Sequence, residues 1–348
     1  MKTAVLAVLM FLVMIFPHEL GHFIAARKNN VQVNEFSFGM GPAIWKRQKG
    51  ETLYAIRLFP IGGYCAMEGE DGSEEESGEE GGVTEPKEYN PRAFNNKKPW
   101  QKIIILAAGS AMNVFCAFLI LTLLATYIGF TTNVIDMVVE DSPAYTAGIE
   151  AGDEIVSIDD ESVSQWDQVV QAVQGSSGNE MTVGVIRNGE QVEVLLTPEF
   201  NEERNTYVIG AQCRVSHNPV KAVGYGARGT VRMFGIMIDS LKMILSGGAS
   251  LEDISGPVGM VQMVGETSSQ GLWSYGFLVA LICVNLAVIN MLPLPALDGG
   301  RILIVLFSWI TGKAVSPKVE GMIHAVGIVL LLGLAVLVTF SDIGKLIG

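Results

Sequence analysis

Four stretches of this sequence are too long and too apolar to be covered by the rest of a soluble chain of this size. Residues 103 to 130, 276 to 297 and 322 to 340 approach or exceed the roughly 20 residues needed to cross about 30 Å of hydrocarbon. The first run, Ala4 to Phe16, holds thirteen apolar residues in succession and continues into Pro17-His18-Glu19-Leu20-Gly21-His22. A lysine ahead of an apolar core also opens a secretory signal. No small-residue cleavage site follows here, so the run is expected to stay in the protein. The expected fold is therefore a polytopic α-helical membrane protein with four transmembrane helices. Charged residues make up 17% of the chain, against the quarter usual in soluble domains.

The net charge of -13 argues against nucleic acid as a partner, since phosphate binding needs clustered Lys and Arg. Much of that charge is local: residues 68 to 82, EGEDGSEEESGEEGG, hold eight acids, five glycines and two serines. Such a stretch has nothing to bury and is expected to be a disordered loop over 68–90. The cysteines Cys65, Cys116, Cys213 and Cys283 show neither a CxxC spacing nor a pairing pattern, and Cys116 and Cys283 fall in apolar runs as core residues. Orientation follows from basic flanks. Arg27 and Lys28 follow the first span, Arg92, Lys97, Lys98 and Lys102 precede the second, and Arg301, Lys313 and Lys318 separate the third from the fourth. These loops are expected in the cytoplasm, with residues 131–275 and both termini outside.

Residues 133 to 200 alternate in strand fashion, with turns at Asn188-Gly189 and from Gly148 to Asp153. The pattern Ser-Pro-Ala, Ala-Gly-Ile, Gly-Asp-Glu-Ile and then a helix resembles a PDZ domain, a β-rich α+β fold whose groove accepts a peptide as an added strand. Ala147-Gly148-Ile149 stands where carboxylate-binding relatives carry Gly-Leu-Gly-Phe, so the spacing assigns this groove no ligand. Val231, Phe234, Ile238, Leu241 and Ile244 then recur at helical spacing, an apolar stripe for packing on the domain or on the membrane surface.

The chemistry sits in the first span. His-Glu-x-x-His on a helix places two imidazoles on one face, one turn apart, where both can bind one Zn²⁺ while the glutamate reaches the water beside it. An ionisable group at membrane depth costs at least ~2.5 kcal/mol, which gives such residues a functional reading by default. A hydrolytic zinc needs a third ligand. His217 lies in the external segment, and His324, at the edge of the fourth span, reads as a packing or capping residue. Asp298 ends the run NLAVINMLPLPALDGG, where Pro293 and Pro295 remove helical hydrogen bonds. Irregular backbone at that depth is tolerated when it lines a cavity, so Asp298 is free to turn toward the histidines. A helix-terminal turn at the membrane face is the plainer reading of the same residues.

Taken together, these residues resemble the site-2 proteases, intramembrane zinc metalloproteases of the M50 type. The likeness covers His18-Glu19-x-x-His22, Asn290-x-x-Pro293-x-Pro295-x-x-Asp298-Gly299, the stretch FSFGMGPAIW to YAIRLFPIGGYCAMEGE, and AAGSAMN at the start of the second span. The order of spans with one PDZ domain resembles the RseP/RasP branch, in the single-PDZ form common in Gram-positive bacteria. Ser110 stands where relatives often carry proline. The resemblance implies zinc held by His18, His22 and Asp298, Glu19 as general base, and Asn290, Pro293 and Pro295 beside the substrate. It implies a membrane-re-entrant β-hairpin over 33–67, whose Gly39, Gly41, Gly62 and Gly63 suit turns and close approach. It places the protein in the bacterial plasma membrane, the PDZ domain outside and the active site toward the cytoplasm. The implied partners are single-span transmembrane substrates and the lipid bilayer. The expected boundaries are spans at 1–28, 102–130, 276–300 and 321–343, a PDZ domain at 131–200, a post-PDZ segment with an amphipathic helix at 201–275 and a cytoplasmic loop or helix at 301–320. Two rivals keep the motif but not the reaction. One is an inactive membrane-anchored PDZ adaptor; the other is a zinc transporter, which needs more ionisable residues within its spans than this chain has.

Overall fold

Helix α1 (Lys2–Lys28) in the computed structural model carries the first apolar run and the histidines without a break. The structure describes residues 2–70, 89–248 and 256–347, so most of the expected acidic loop lies outside the described residues. After α1 come two long antiparallel strands, β1 (Val33–Lys49) and β2 (Thr52–Met67), and then α2 (Pro99–Tyr127). The chain forms two compact units, one of residues 1–121 with 226–348, the other of residues 122–225.

In the smaller unit the elements are β3 (Phe130–Val138), α3 (Pro143–Thr146), β4 (Glu154–Ile158), β5 (Glu161–Ser162), α4 (Trp166–Gly175), β6 (Met181–Arg187), β7 (Glu190–Leu196), β8 (Glu199–Asn201), β9 (Thr206–Val208) and β10 (Ala211–Ser216). The main sheet runs β10-β3-β4-β6-β7, with β5 beside β4, and β8 pairs with β9. The sheet continues beyond residue 200, because β10 closes it against β3. Asn188 and Gly189 both have positive φ (51° and 89°), the geometry that lets a two-residue turn follow the strand twist between β6 and β7. The SPAxxAGIxxGDxI pattern is a set of packing instructions. Ser142 caps α3 by accepting the Tyr145 N–H, Ile149 and Ile155 enter the core, and Asp153 is buried. Its carboxylate accepts two bonds from Arg187 (2.7 and 2.8 Å) and one from the Glu150 N–H (2.9 Å). Arg187 also donates to the Gly148 carbonyl, tying the loop to β6.

From residue 226 of α5 (Pro219–Leu245) the chain belongs to the larger unit, which continues with α6 (Pro257–Ser269), α7 (Leu272–Asn290), α8 (Asp298–Thr311) and α9 (Pro317–Ile347). Among the described residues, α1, α2, α7 and α9 are long and apolar enough to cross a membrane. The third span differs from the expected 276–300. Its helix ends at Asn290, residues 291–297 form an irregular link, and a new helix starts at Asp298, covering much of the expected connection at 301–320. Pro293 and Pro295 explain the break: neither donates a helical N–H, and each pushes the residue before it out of the helical region. On α5, Met233 is buried against α2 and α7 partners and Phe234 packs on the same cluster, whereas Val231, Ile238 and Ile244 are exposed.

Two apolar clusters hold the unit. Ala7 and Met10 of α1 pack with Ala117 and Leu121 of α2 and with Leu278, Val279 and Cys283 of α7. Ala25 and Ala26 meet Val33, Phe36, Cys65, Ile105 and Ile302. Gly21 allows the α1–α2 crossing, since a Cβ there would lie 2.2 Å from the Ala108 carbonyl oxygen.

Burial opposes charge on Asp153, but the Arg187 fork and the Glu150 N–H outweigh it and hold the carboxyl below its ordinary value. A group lowered in the folded state adds stability above its unfolded pKa and loses it as pH falls through the folded one. Asp153→Ala leaves Arg187 without its buried partner and is expected to destabilise the smaller unit by about 3 kcal/mol at neutral pH. The deficit should shrink below about pH 4. Protease-monitored unfolding of the full-length protein at both pH values measures it.

Candidate metal centre

Helical spacing brings His18 and His22 onto one face of α1, with ring centroids 4.7 Å apart and planes at 89°. Both are buried. Their Nε2 atoms are 3.2 Å from each other, and Oδ2 of Asp298 lies 3.4 Å from each. Among the described residues these three make the one cluster of His, Cys, Asp and Glu able to hold a metal ion. The distances test the fit. Ligand atoms placed tetrahedrally around zinc at 2.0–2.1 Å are about 3.3 Å apart. The triangle of 3.2, 3.4 and 3.4 Å matches one face of such a tetrahedron.

The atoms behind the ligands set the donor chemistry. His22 Nδ1 lies 2.9 Å from the Ile105 carbonyl, which can only accept, so the proton sits on Nδ1 and the Nε2 lone pair faces the cluster. Gly109 of α2 is the wall. A Cβ there would stand 2.3 Å from His22 Nε2 and 2.7 Å from His18 Cε1, so both imidazoles occupy space that any side chain would take. Gly299 and Gly300 do the same for the third ligand. Cβ atoms on them would come within 2.3 Å of the Leu292 carbonyl oxygen and 2.2 Å of that of Leu294, so the first turn of α8 tucks under the proline link. Arg301, one turn beyond Asp298, pairs with Glu70 at the end of the hairpin.

Pro17 has a local consequence of its own. It cannot donate to the Val13 carbonyl one turn earlier. The thiols of Cys116 on α2 and Cys283 on α7 each lie 4.0 Å from that oxygen, so two weak donors stand where the helical one is missing.

Of the other residues singled out by sequence, Asn290 joins the site: its side-chain nitrogen is 3.2 Å from His18 Nε2. Glu19 is half-buried beside the hairpin, and a Cβ on Gly63 would lie 3.1 Å from its Cγ. Pro293 is exposed, whereas Pro295 packs against Gly327 of α9. His217 lies against Gly129 in the smaller unit and takes no part in the cluster. Sequence reasoning missed the steric role of Gly109. Its signal was present in AAGSAMN, but a glycine in an apolar helix does not announce which neighbour needs the room.

A model of peptidase family M50 matches residues 6–334 of the chain. A Clostridium acetobutylicum protein, provisionally named a zinc metalloprotease, is 36% identical over 341 residues, covering 97% of this chain and 96% of its own. The regulator of sigma-W protease RasP of Bacillus subtilis is 28% identical over 418 residues, covering 99% of each chain. Among solved structures, the PDZ domain of an SdrC-like protein from Listeria innocua is 24% identical, covers 26% of this chain and 99% of that one, and has a TM-score of 0.22.

Gly109→Ala should push both imidazoles out of register. Zinc content after purification and chelator competition is expected to fall at least tenfold, with the protein still inserted in membranes.

Proposed function

The chain belongs to peptidase family M50 and is a zinc metalloprotease, and we propose that it cuts single-span membrane proteins within their transmembrane segments. The observation that carries this reading is the triangle of His18, His22 and Asp298 inside an apolar bundle, sized for zinc. In this reading those three residues hold the metal and Glu19 is the general base.

Zinc, when bound, supplies a Lewis acid for the scissile carbonyl and brings the pKa of water near neutrality. Glu19 accepts a proton from the attacking water and returns it to the leaving amine. Asn290, whose amide stands beside His18, donates to the substrate backbone near the bond to be cut. A transmembrane helix hides its carbonyls in its own hydrogen bonds, so the substrate must unwind before it reacts. An unwound segment pairs as an added strand with the hairpin, whose Gly63 backbone already lies against Glu19. Arg57 stiffens that hairpin by donating to Ser37 Oγ (2.9 Å), the Gly41 carbonyl (2.7 Å) and Glu35 (2.6 Å). Pro293 is the exposed member of the proline pair and the one open to substrate.

The basic flanks support a multi-pass protein of the bacterial plasma membrane. The hairpin re-enters that membrane beside the site, with the catalytic end toward the cytoplasm. The smaller unit faces outside as a PDZ domain that refuses substrates with bulky external parts. The name of the Bacillus subtilis relative ties that protein to sigma-W. For this chain the matching substrate class is an anti-sigma factor already trimmed outside the membrane, with remnant signal peptides as the second class.

Glu19→Gln keeps all three metal ligands. It is expected to retain zinc and lower the cleavage rate of a single-span model substrate by about 10³-fold. Undiminished cleavage would overturn the assignment, and a wild-type protein that binds no zinc and cuts nothing would favour the inactive adaptor.

A further inference from the structure

Helix α9 contributes no ligand to the metal centre, yet it holds the link that delivers one. The link between α7 and α8, residues 291–297, ends one position after a residue in an unfavourable conformation. Ala296 has φ of +70°, a left-handed backbone that is strained for an alanine and that glycine would adopt freely. Something outside the link must hold it there. Two contacts from α9 do so. Nδ1 of His324 accepts the Ala296 N–H at 3.1 Å, and one turn later Gly327 lies so close to Pro295 that a Cβ would stand 2.5 Å from the proline Cβ and 2.6 Å from its carbonyl carbon. From the other side, Gly299 and Gly300 press against the carbonyls of residues 291, 292 and 294. The link is clamped between its own following helix and α9, and Asp298 is the first residue beyond the clamp.

The rest of α9 makes this contact conspicuous. At the far end, Asp342 accepts the Gly259 N–H at 2.8 Å near the start of α6. Between the two ends, Val329, Leu330, Leu332 and Leu337 are exposed. A helix that served only as a membrane anchor would need neither a histidine facing the link nor a glycine under its proline.

We propose that His324 is a positioning residue for the third metal ligand. Its Nδ1 lone pair holds the left-handed Ala296 and so aims the Asp298 carboxylate at the two histidines. The bond defines the tautomer: Nδ1 accepts, so the ring proton is on Nε2, on the side of Glu320 Oε1 4.0 Å away. The proposal rests on the reading of His18, His22 and Asp298 as a zinc site and concerns the residue that shapes it.

The test compares three variants of the full-length protein in detergent. His324→Asn puts an oxygen acceptor at the place of Nδ1, His324→Gln puts one at the place of Nε2, and His324→Ala supplies none. Zinc affinity is read by competition with a chelator, and kcat and KM are read with a single-span substrate. Losing a partner behind a metal ligand costs 10–100-fold in affinity. The alanine and glutamine variants should show that loss with kcat lowered more than KM is raised, and the asparagine variant should stay within about threefold of wild type. Wild-type affinity in His324→Ala, or equal losses in the asparagine and glutamine variants, would overturn the proposal while leaving the metal centre intact. A wild-type protein that takes up no zinc, or a His22→Ala variant that takes up as much as wild type, would overturn the metal centre and this proposal together.

Discussion

The larger unit is organised around the cost of placing ionisable groups in an apolar bundle. His18, Glu19 and His22 end the apolar run of α1, and Asp298 opens the largely apolar α8. Lone buried charges are expensive, whereas converging ligands at metal-binding distance exchange solvation for coordination. The triangle of 3.2–3.4 Å edges is therefore the contact that the surrounding helices must preserve. The crossing of α1 with α2, the end of α7 and the start of α8 all serve it.

Close approach is what lets them do so. Without hydrophobic attraction between helices in lipid, association depends on packing and on small residues at the crossings. Gly21 brings α2 against α1, Gly109 leaves room for both imidazoles, and Gly299 with Gly300 seats the first turn of α8 under the proline link. Each glycine is valuable for the space it leaves and not for backbone freedom. The carbonyl freed by Pro17 is met within the same bundle, where it faces two thiols and not hydrocarbon.

Much of this was legible in advance. Apolar length marked four spans, the His-Glu-x-x-His spacing marked a metal face, and the prolines before Asp298 marked a broken helix. The SPAxxAGIxxGDxI run in the smaller unit was equally readable as a pattern, because its residues satisfy local demands: a cap, a turn and core positions. The prolines marked the break but not its extent, because residues 291–297 are as apolar as the helix before them; α7 stops at Asn290 and α8 starts at Asp298. Helical periodicity identifies an apolar face on α5 but not what covers each part of it: Met233 and Phe234 meet the protein cluster, while Val231, Ile238 and Ile244 are exposed.

Residue type and spacing by themselves determined that this chain enters a membrane, that α1 presents two imidazoles on one face, and that a carboxylate waits after a proline break. These follow from transfer free energy and from the 3.6-residue turn, which need no tertiary information. Only the tertiary structure decided which groups stand behind the ligands. Ile105 turns His22, Gly109 makes room for both rings, and His324 meets Ala296 from 28 positions away. Those partnerships depend on which helix faces cross and at what distance. That is a property of packing between elements, and no single element's pattern contains it.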